Sequence, residues 1–233
     1  MGVAEQADEI PVRAVRWRPC IRIIPARFPP INLFERVADP ADLDAVLYVE
    51  SLTNDRLRAE VGDLSIVPRE DWISGAGTGS IMAAFTLVSP SGGGFTDGTF
   101  GAYYAARELE TAIEETRYHR ARFMAYTREA PMELDMRVLR AHLEADLHDI
   151  RGMRPELEAV YDESDYSASQ ALASTLRARR SWGIAYDSVR HVGGECAAVF
   201  RPPALSHCTQ AEHFAYVWDG GQIGRVYRKT LPK

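Results

Sequence analysis

The sequence predicts a single mixed α/β domain with most of its strands in the second half of the chain. Three stretches carry that prediction. Thr99 to Met124 joins a short apolar, aromatic segment, Phe100-Gly-Ala-Tyr-Tyr-Ala-Ala106, to one of helical period, so a strand runs straight into a helix. Met132, Leu134, Met136 and Val138 alternate with Glu133, Asp135 and Arg137, the period of a half-buried strand. His213 to Trp218 and Ile223 to Tyr227 flank the tight turn Asp219-Gly220-Gly221, a hairpin. No internal repeat or linker-like break divides the 233 residues, which suffice to bury a full core.

In chain order, residues 1 to about 15 read as a loose arm, and Cys20 to Ile24 as a strand with Arg22 in its middle. Pro25, Pro29 and Pro30 force an extended path through Ala26-Arg27-Phe28. Asp39-Pro40 opens a helix with a stripe through Leu43, Val46 and Leu47. A short helix over Asn54 to Glu60, a stop at Gly62 and an extended Leu64 to Val67 follow. Gly75-Ala-Gly77-Thr-Gly79 is neither G-x-G-x-x-G nor a P-loop and reads as a flexible surface loop. Ile81 to Val88 reads as a buried strand, and Ser89 to Gly98 as a loop. After the strand at Met132, an irregular region holds one short helix, Pro155 to Val160. Ser167 to Arg179 is a helix with Asp165 as its N-cap; Gly183 to Val189 and Ala197 to Phe200 are strands about a Gly193-Gly194 turn.

Composition narrows the function classes. A hydrophobic fraction of 46% and a charged fraction of 26% are those of a soluble globular protein. The longest apolar run, Ile81 to Val88, is far short of the roughly 20 residues a membrane span needs. Met1 to Ile10 has no apolar core behind a basic start, so no secretory leader is expected. Cys20, Cys196 and Cys208 lack C-x-x-C spacing, which points to a reducing, cytoplasmic setting without a zinc knuckle. A net charge of -6 argues against nucleic acid as a partner, although Arg13, Arg16, Arg18 and Arg22 make a local basic patch around Trp17. No H-E-x-x-H, EF-hand loop or G-x-S-x-G occurs; Glu115 and His119 at i, i+4 would need a third ligand to hold a metal, so none is expected.

The glutamates of the central helix are not equivalent. Leu109, Ala112, Ile113, Thr116, Phe123 and Met124 form its apolar stripe; Glu110 and Glu114 point away, Glu114 toward Arg117 at i+3. Glu115 sits on the stripe's flank with Glu108 and His119, where a carboxylate is partly desolvated and needs a partner or a chemical task. Arg22, mid-strand among apolar residues, is an expensive cation unless an anion meets it. Tyr104 ends the central strand and Ser167 starts a later helix. Arginine for phosphate, tyrosine for an aromatic ring and carboxylate for a developing cation suit a nucleotide whose glycosidic bond is broken, though each residue also has an ordinary structural explanation.

The chain resembles the RES-domain family, the toxins of bacterial RES–Xre toxin–antitoxin pairs, in its longer form. The resemblance covers residues 20 to 203 and rests on Arg22-Ile-Ile-Pro-Ala-Arg-Phe-Pro-Pro30, on Gly101-Ala-Tyr-Tyr104-Ala-Ala with Ala112-Ile-Glu-Glu115-Thr-Arg-Tyr-His119, on Tyr166-Ser167-Ala-Ser-Gln170, and on the closing segment Gly183 to Pro202. Two positions depart: Gly94 precedes Phe95 where many members carry arginine, and Asp187 stands where proline is usual. The first leaves Arg27 or Arg190 as substitute cations, and Ser169 competes with Ser167 for the serine role.

The resemblance implies an α+β, ADP-ribosyltransferase-like fold, two packed curved sheets with flanking helices and NAD lying between them as substrate. It implies residues 1–19 as an arm and 20–233 as one NAD-binding domain with an insertion at about 38–95. Arg22 would bind the pyrophosphate or ribose side, Tyr104 the nicotinamide ring, and Ser167 the nicotinamide ribose. Glu115 would face the oxocarbenium-like cation left by nicotinamide. A carboxylate about 4 Å from that cation, at an effective dielectric near 20, supplies roughly 4 kcal/mol, on the order of a thousandfold in rate. ADP-ribose would pass to a protein acceptor, with hydrolysis or phosphorolysis as alternatives. The resemblance also implies an Xre-type antitoxin that masks the site. A non-catalytic interaction module and an RNA-cleaving toxin are the competing classes.

Overall fold

The computed structural model describes residues 3–27, 33–36 and 62–230. The helices expected from Asp39-Pro40 and over Asn54 to Glu60, and the path through Phe28 to Pro30, lie outside the described residues. Four long antiparallel strands, β1 (Val12–Pro25), β3 (Met132–Asp149), β6 (Leu205–Trp218) and β7 (Ile223–Lys229), make one wall. Three short ones, β2 (Tyr103–Ala106), β4 (Gly183–Asp187) and β5 (Glu195–Val199), make the other. The walls meet along two seams: the single pair Ile21↔Ala106 between β1 and β2, and the parallel pairs His148↔Ile184 and Asp149↔Ala185 between β3 and β4. The two curved sheets expected from the resemblance are therefore the two walls of one continuous sheet, ordered β1-β2-β5-β4-β3-β6-β7 and brought back on itself where β1 pairs β3.

Alternation along the strands sets what fills and what covers this sheet. Trp17, Cys20, Leu139, Ala141 and Leu143 point between the walls and meet Tyr103, Ala105, Ala185, Ala197 and Val199. On the outer face of the long wall, Ile21, Ile23, Met136, Val138 and Phe214 receive Ala112 and Met124 of the helix Leu109–Thr127. On the short wall, Ile184 and Ala198 receive Leu172, Ala173 and Leu176 of the helix Ser167–Ala178, with Ala7 and Ile10 packed alongside. In chain order the helices are α1 (Val3–Glu9), the single turn α2 (Leu33–Arg36), α3 (Thr78–Thr86), α4 (Leu109–Thr127) and α5 (Ser167–Ala178). No helix of the described residues is long and apolar enough to cross a membrane.

Several expectations are corrected. Residues 1–19 are not a loose arm: from Val3 they form α1, and Val12 to Trp17 pair with Leu143 to His148, so β1 crosses the expected boundary. Ile81 to Thr86 is the second part of helix α3, not a strand, and Leu87 and Val88 follow its end. Ile81, Met82, Phe85 and Thr86 are buried at helical spacing, but the opposite, less buried face is apolar too, Ala83, Ala84 and Leu87, so the sequence shows no period. The glycine run ahead of it is not a free surface loop either. Gly77, with φ of 79°, carries the chain into α3 so close to β6 that a Cβ would lie 2.2 Å from the Cys208 carbonyl oxygen. Leu64–Ile66 is a 3-10 turn rather than extended, and the short helix expected at Pro155 to Val160 is a 3-10 turn at Glu158–Tyr161. β3 continues to Asp149 because its buried face changes: Met136 and Val138 lie under α4, and Leu139, Ala141 and Leu143 between the walls.

Candidate active site

β2 runs directly into α4, and the turn between β4 and β5 is fastened to α4 by Thr111 Oγ1, 2.8 Å from His191 Nδ1. That contact brings Ser188 under the next turn of α4, against Glu115. Here a cavity of about 60 Å3, partly open to solvent, is lined by Gly94, Phe95, Tyr104, Glu115, His119 and Tyr186 among others. A second cavity of about 140 Å3 lies at Asp71, Arg177, Arg180 and Arg201. There Arg201 Nε and Nη2 hold Asp71 Oδ1 at 3.0 and 2.7 Å, and Arg180 lies 3.3 Å from the same carboxylate. The first cavity is the one that holds Tyr104, Glu115 and Arg190 of the residues expected at the site.

The Glu115 side chain is 18% exposed. Its Oε1 accepts the Ser188 hydroxyl at 2.6 Å, and its Oε2 lies 3.9 Å from His119 Nε2. Ser188 Oγ in turn accepts the N–H groups of Arg190 and His191 at 3.1 and 3.0 Å. Burial pushes the Glu115 carboxyl up from its ordinary pKa, while the Ser188 bond and the Arg190 charge oppose that rise. The His119 side chain is 43% exposed; the burial it does have, and then the charges of Arg190, Arg120 and Arg122, lower its pKa and favour the neutral imidazole.

Tyr104 lines the same cavity. Its hydroxyl accepts the Phe95 N–H at 2.8 Å, and its carbonyl accepts Arg22 Nη1 at 3.1 Å. Arg22 points between the walls, 4.8 Å from the Tyr103 ring centre, and burial lowers its pKa. It does not line the cavity but stands behind Tyr104, at the seam where the walls part after Ile21↔Ala106. Arg27 lies in the turn after β1, exposed and also off the cavity lining. Its charge and that of Arg22 depress Arg120, after burial. Among the described residues no carboxylate pairs with Arg22 or Arg120. Arg190 lines the cavity, yet its guanidinium is engaged: Nη1 donates to Glu163 Oε2 at 2.6 Å, and the plane lies 3.4 Å from the Tyr118 ring centre.

Of the two serines weighed from the sequence, Ser169 lines the cavity and Ser167 does not. Ser169, Leu172, Ala173 and Leu176 form the buried face of α5, and Ser167 falls outside it, exposed, with its N–H on Asp165 Oδ1 at 2.9 Å. The Ser169 hydroxyl has one proton for two carbonyls, Gly94 at 2.5 Å and Tyr166 at 3.0 Å. Gln170 Nε2 holds the neighbouring carbonyls of Gly93 and Thr96 at 2.9 and 3.2 Å, so α5 fixes the loop that forms the cavity's edge. At Gly94 a Cβ would meet nothing within 4 Å. Ser188, Phe95 and Tyr186 were not assigned roles from the sequence, because they reach the site through loop and strand geometry that leaves no periodic signal. Phe95 packs on Tyr186 with ring centres 4.8 Å apart. Among the described residues no three metal-ligating side chains converge.

A family model described as RES domain matches residues 67–219. That stretch contains Tyr104, Glu115, Ser167, Ser169 and Arg190 and leaves Arg22 and Arg27 outside. The chain is 29% identical over 212 residues to uncharacterized protein y4oC of Sinorhizobium fredii (strain NBRC 101917 / NGR234), covering 88% of this chain and 85% of the relative. A solved structure, the M. tuberculosis MbcT–MbcA toxin–antitoxin complex, contains a chain that superposes with a TM-score of 0.49 at 14% identity, over 90% of this chain and 92% of that one. The family match spans well over half of the sequence, and by it the chain belongs to the RES domain family.

Proposed function

We propose that this chain is the toxin of a toxin–antitoxin pair and consumes NAD by breaking the bond between nicotinamide and ribose. The observation that carries the proposal is Glu115, a mostly buried carboxylate with a raised pKa and no arginine or lysine within ion-pair distance among the described residues, set in one cavity with the Tyr104 ring. Such a group is costly to the fold and suits a cation that exists only during reaction. The Tyr104 ring would pack on nicotinamide, and Arg22, Arg27 and Arg120 supply a positive field toward a pyrophosphate. Ser169 takes the structural part of the serine role by holding Gly94. ADP-ribose then passes to a protein acceptor, with water or phosphate as the alternatives. A toxin that drains a shared metabolite has to be masked during growth, which calls for an antitoxin, of Xre type, over this cavity.

Incubation of the purified chain with NAD labelled in its ADP-ribose part, with and without cell extract, tests this. Nicotinamide release by the wild type and its loss in Glu115→Gln support the proposal; label on a discrete protein marks transfer, and free ADP-ribose marks hydrolysis. Unchanged NAD counts against the reaction and favours a second reading, a non-catalytic module, to which Gly94 and the Glu163-bound Arg190 lend weight.

A further inference from the structure

We propose that His119 is a further catalytic residue, whose Nε2 takes the proton from a hydroxyl nucleophile, water or an alcohol side chain of a protein acceptor, as that nucleophile attacks the anomeric carbon. The proposal rests on reading this cavity as the NAD-cleaving site. Its basis is placement. His119 follows Glu115 by one turn of α4, both line the cavity, and Nε2 stands 3.9 Å from Glu115 Oε2. At that separation one oxygen atom can sit within hydrogen-bond reach, about 2.8 Å, of both. Ser188 occupies the other carboxylate oxygen, which leaves Oε2 and Nε2 as the adjacent polar pair.

Among the described residues no group hydrogen-bonds the His119 ring, which is in contact with the rings of Tyr118 and Tyr166, centres 5.5 and 6.4 Å away. The charged and titratable groups facing it are Glu115, Arg120 and Arg122 on its own helix, Arg190 from the β4–β5 turn, and Tyr166 ahead of α5. Partial burial, and then the three arginines, favour the unprotonated imidazole, the form a proton acceptor needs.

The step balances without an oxidant or reductant. The bond from C1′ to nicotinamide breaks with its electron pair going to the ring nitrogen, and neutral nicotinamide leaves an oxocarbenium cation facing Glu115. The hydroxyl oxygen forms the new bond to C1′, its proton moves to Nε2, and the imidazolium returns that proton to solvent. NAD and a hydroxyl compound thus give the ADP-ribosyl product, nicotinamide and one proton. A nucleophile with no proton to lose, azide or a phosphate dianion, has no use for His119.

The test compares the full chain and its His119→Gln variant for nicotinamide release and product, with cell extract present and with azide added. The expected result is a loss of hydroxyl product of about a hundredfold at unchanged KM, with azide restoring turnover in the variant as ADP-ribosyl azide. His119→Ala supplied with free imidazole should recover likewise. Free ADP-ribose and ADP-ribosylated protein separate the two hydroxyl sources, and either supports the proposal. Equal rates and products in wild type and His119→Gln, or a wild type that delivers ADP-ribose only to phosphate, would overturn it. A wild type that releases no nicotinamide at all defeats the NAD reading itself, a result distinct from failure of the histidine alone.

Discussion

The Ser188 hydroxyl gives its one proton to Glu115 Oε1 at 2.6 Å while accepting the backbone N–H groups of Arg190 and His191. Both accepted bonds polarise the hydroxyl and strengthen what it donates. A helix residue and a turn residue far apart in sequence are thus joined into one unit, with the Thr111–His191 contact bracing it one turn away.

Ser188→Ala removes the strongest of the influences that hold the Glu115 pKa down and leaves burial, which raises it, unopposed except by Arg190. The carboxylate is the form needed against a cation, so the acid limb of the pH–rate profile moves to higher pH. Nicotinamide release at pH 6 should fall roughly tenfold or more relative to pH 8, since a hydrogen bond to a charged group is worth about 1.5–3 kcal/mol. An unmoved limb would show that Ser188 does not tune this carboxyl.

Glu115→Gln should stabilise the protein while stopping its reaction. The folded-state pKa of Glu115 lies above its unfolded value, so the native chain binds this proton more tightly. The stability from that preference is complete below the unfolded pKa and lost as pH rises through the folded one. At pH 8 the buried charge is then a net cost, which a neutral amide that still accepts the Ser188 bond does not incur. A gain on the order of 1 kcal/mol appears as about 2–4 °C in Tm for a chain of this size. The gain should shrink toward pH 4, and a lower Tm at pH 8 would contradict the account.

How much of this was legible in the sequence depended on whether a residue sat on a periodic element. Glu115 could be separated from Glu110 and Glu114 because nineteen residues of α4 fix a face. The same logic, carried to α5, selects Ser169 over Ser167 once Leu172 and Leu176 are seen to be buried with it. Arg22 was legible as a misplaced cation, but its target was not: the carbonyl of Tyr104 is reached only because two walls part at a seam that no single strand encodes. Ser188 left no trace, since its place depends on a turn docking against α4. The run Ile81 to Val88 misled because its less buried face, Ala83, Ala84 and Leu87, is apolar as well, which erases the period that separates helix from strand.

Ser169→Ala and Ser167→Ala should differ sharply. The first leaves the Gly94 carbonyl without its 2.5 Å donor in a buried place and frees one of the ties on the loop at the cavity edge. An unmet acceptor of this kind costs about 1–3 kcal/mol, and turnover should fall with it because Phe95 of that loop donates its N–H to the Tyr104 hydroxyl. Ser167→Ala touches an exposed hydroxyl and should change stability by less than about 0.5 kcal/mol. Denaturant unfolding of the two variants checks the contrast, and a larger loss at Ser167 would return the serine role to that position.

Gly94→Arg tests whether the cavity lacks a cation. A Cβ at Gly94 meets nothing within 4 Å, its backbone needs no left-handed conformation, and the position lines the cavity. The two cations nearest in role are otherwise placed: Arg190 is held by Glu163, and Arg22 stands behind Tyr104. An arginine grafted here would add a planar, permanently charged fork at the edge of the cavity. The KM for NAD should fall roughly tenfold, about 1.4 kcal/mol, with little change in kcat, because both ground and transition states carry the same phosphates. A rise in kcat without a change in KM would place the grafted charge near the reacting carbon instead, and no change in either would mean that it does not reach the phosphates.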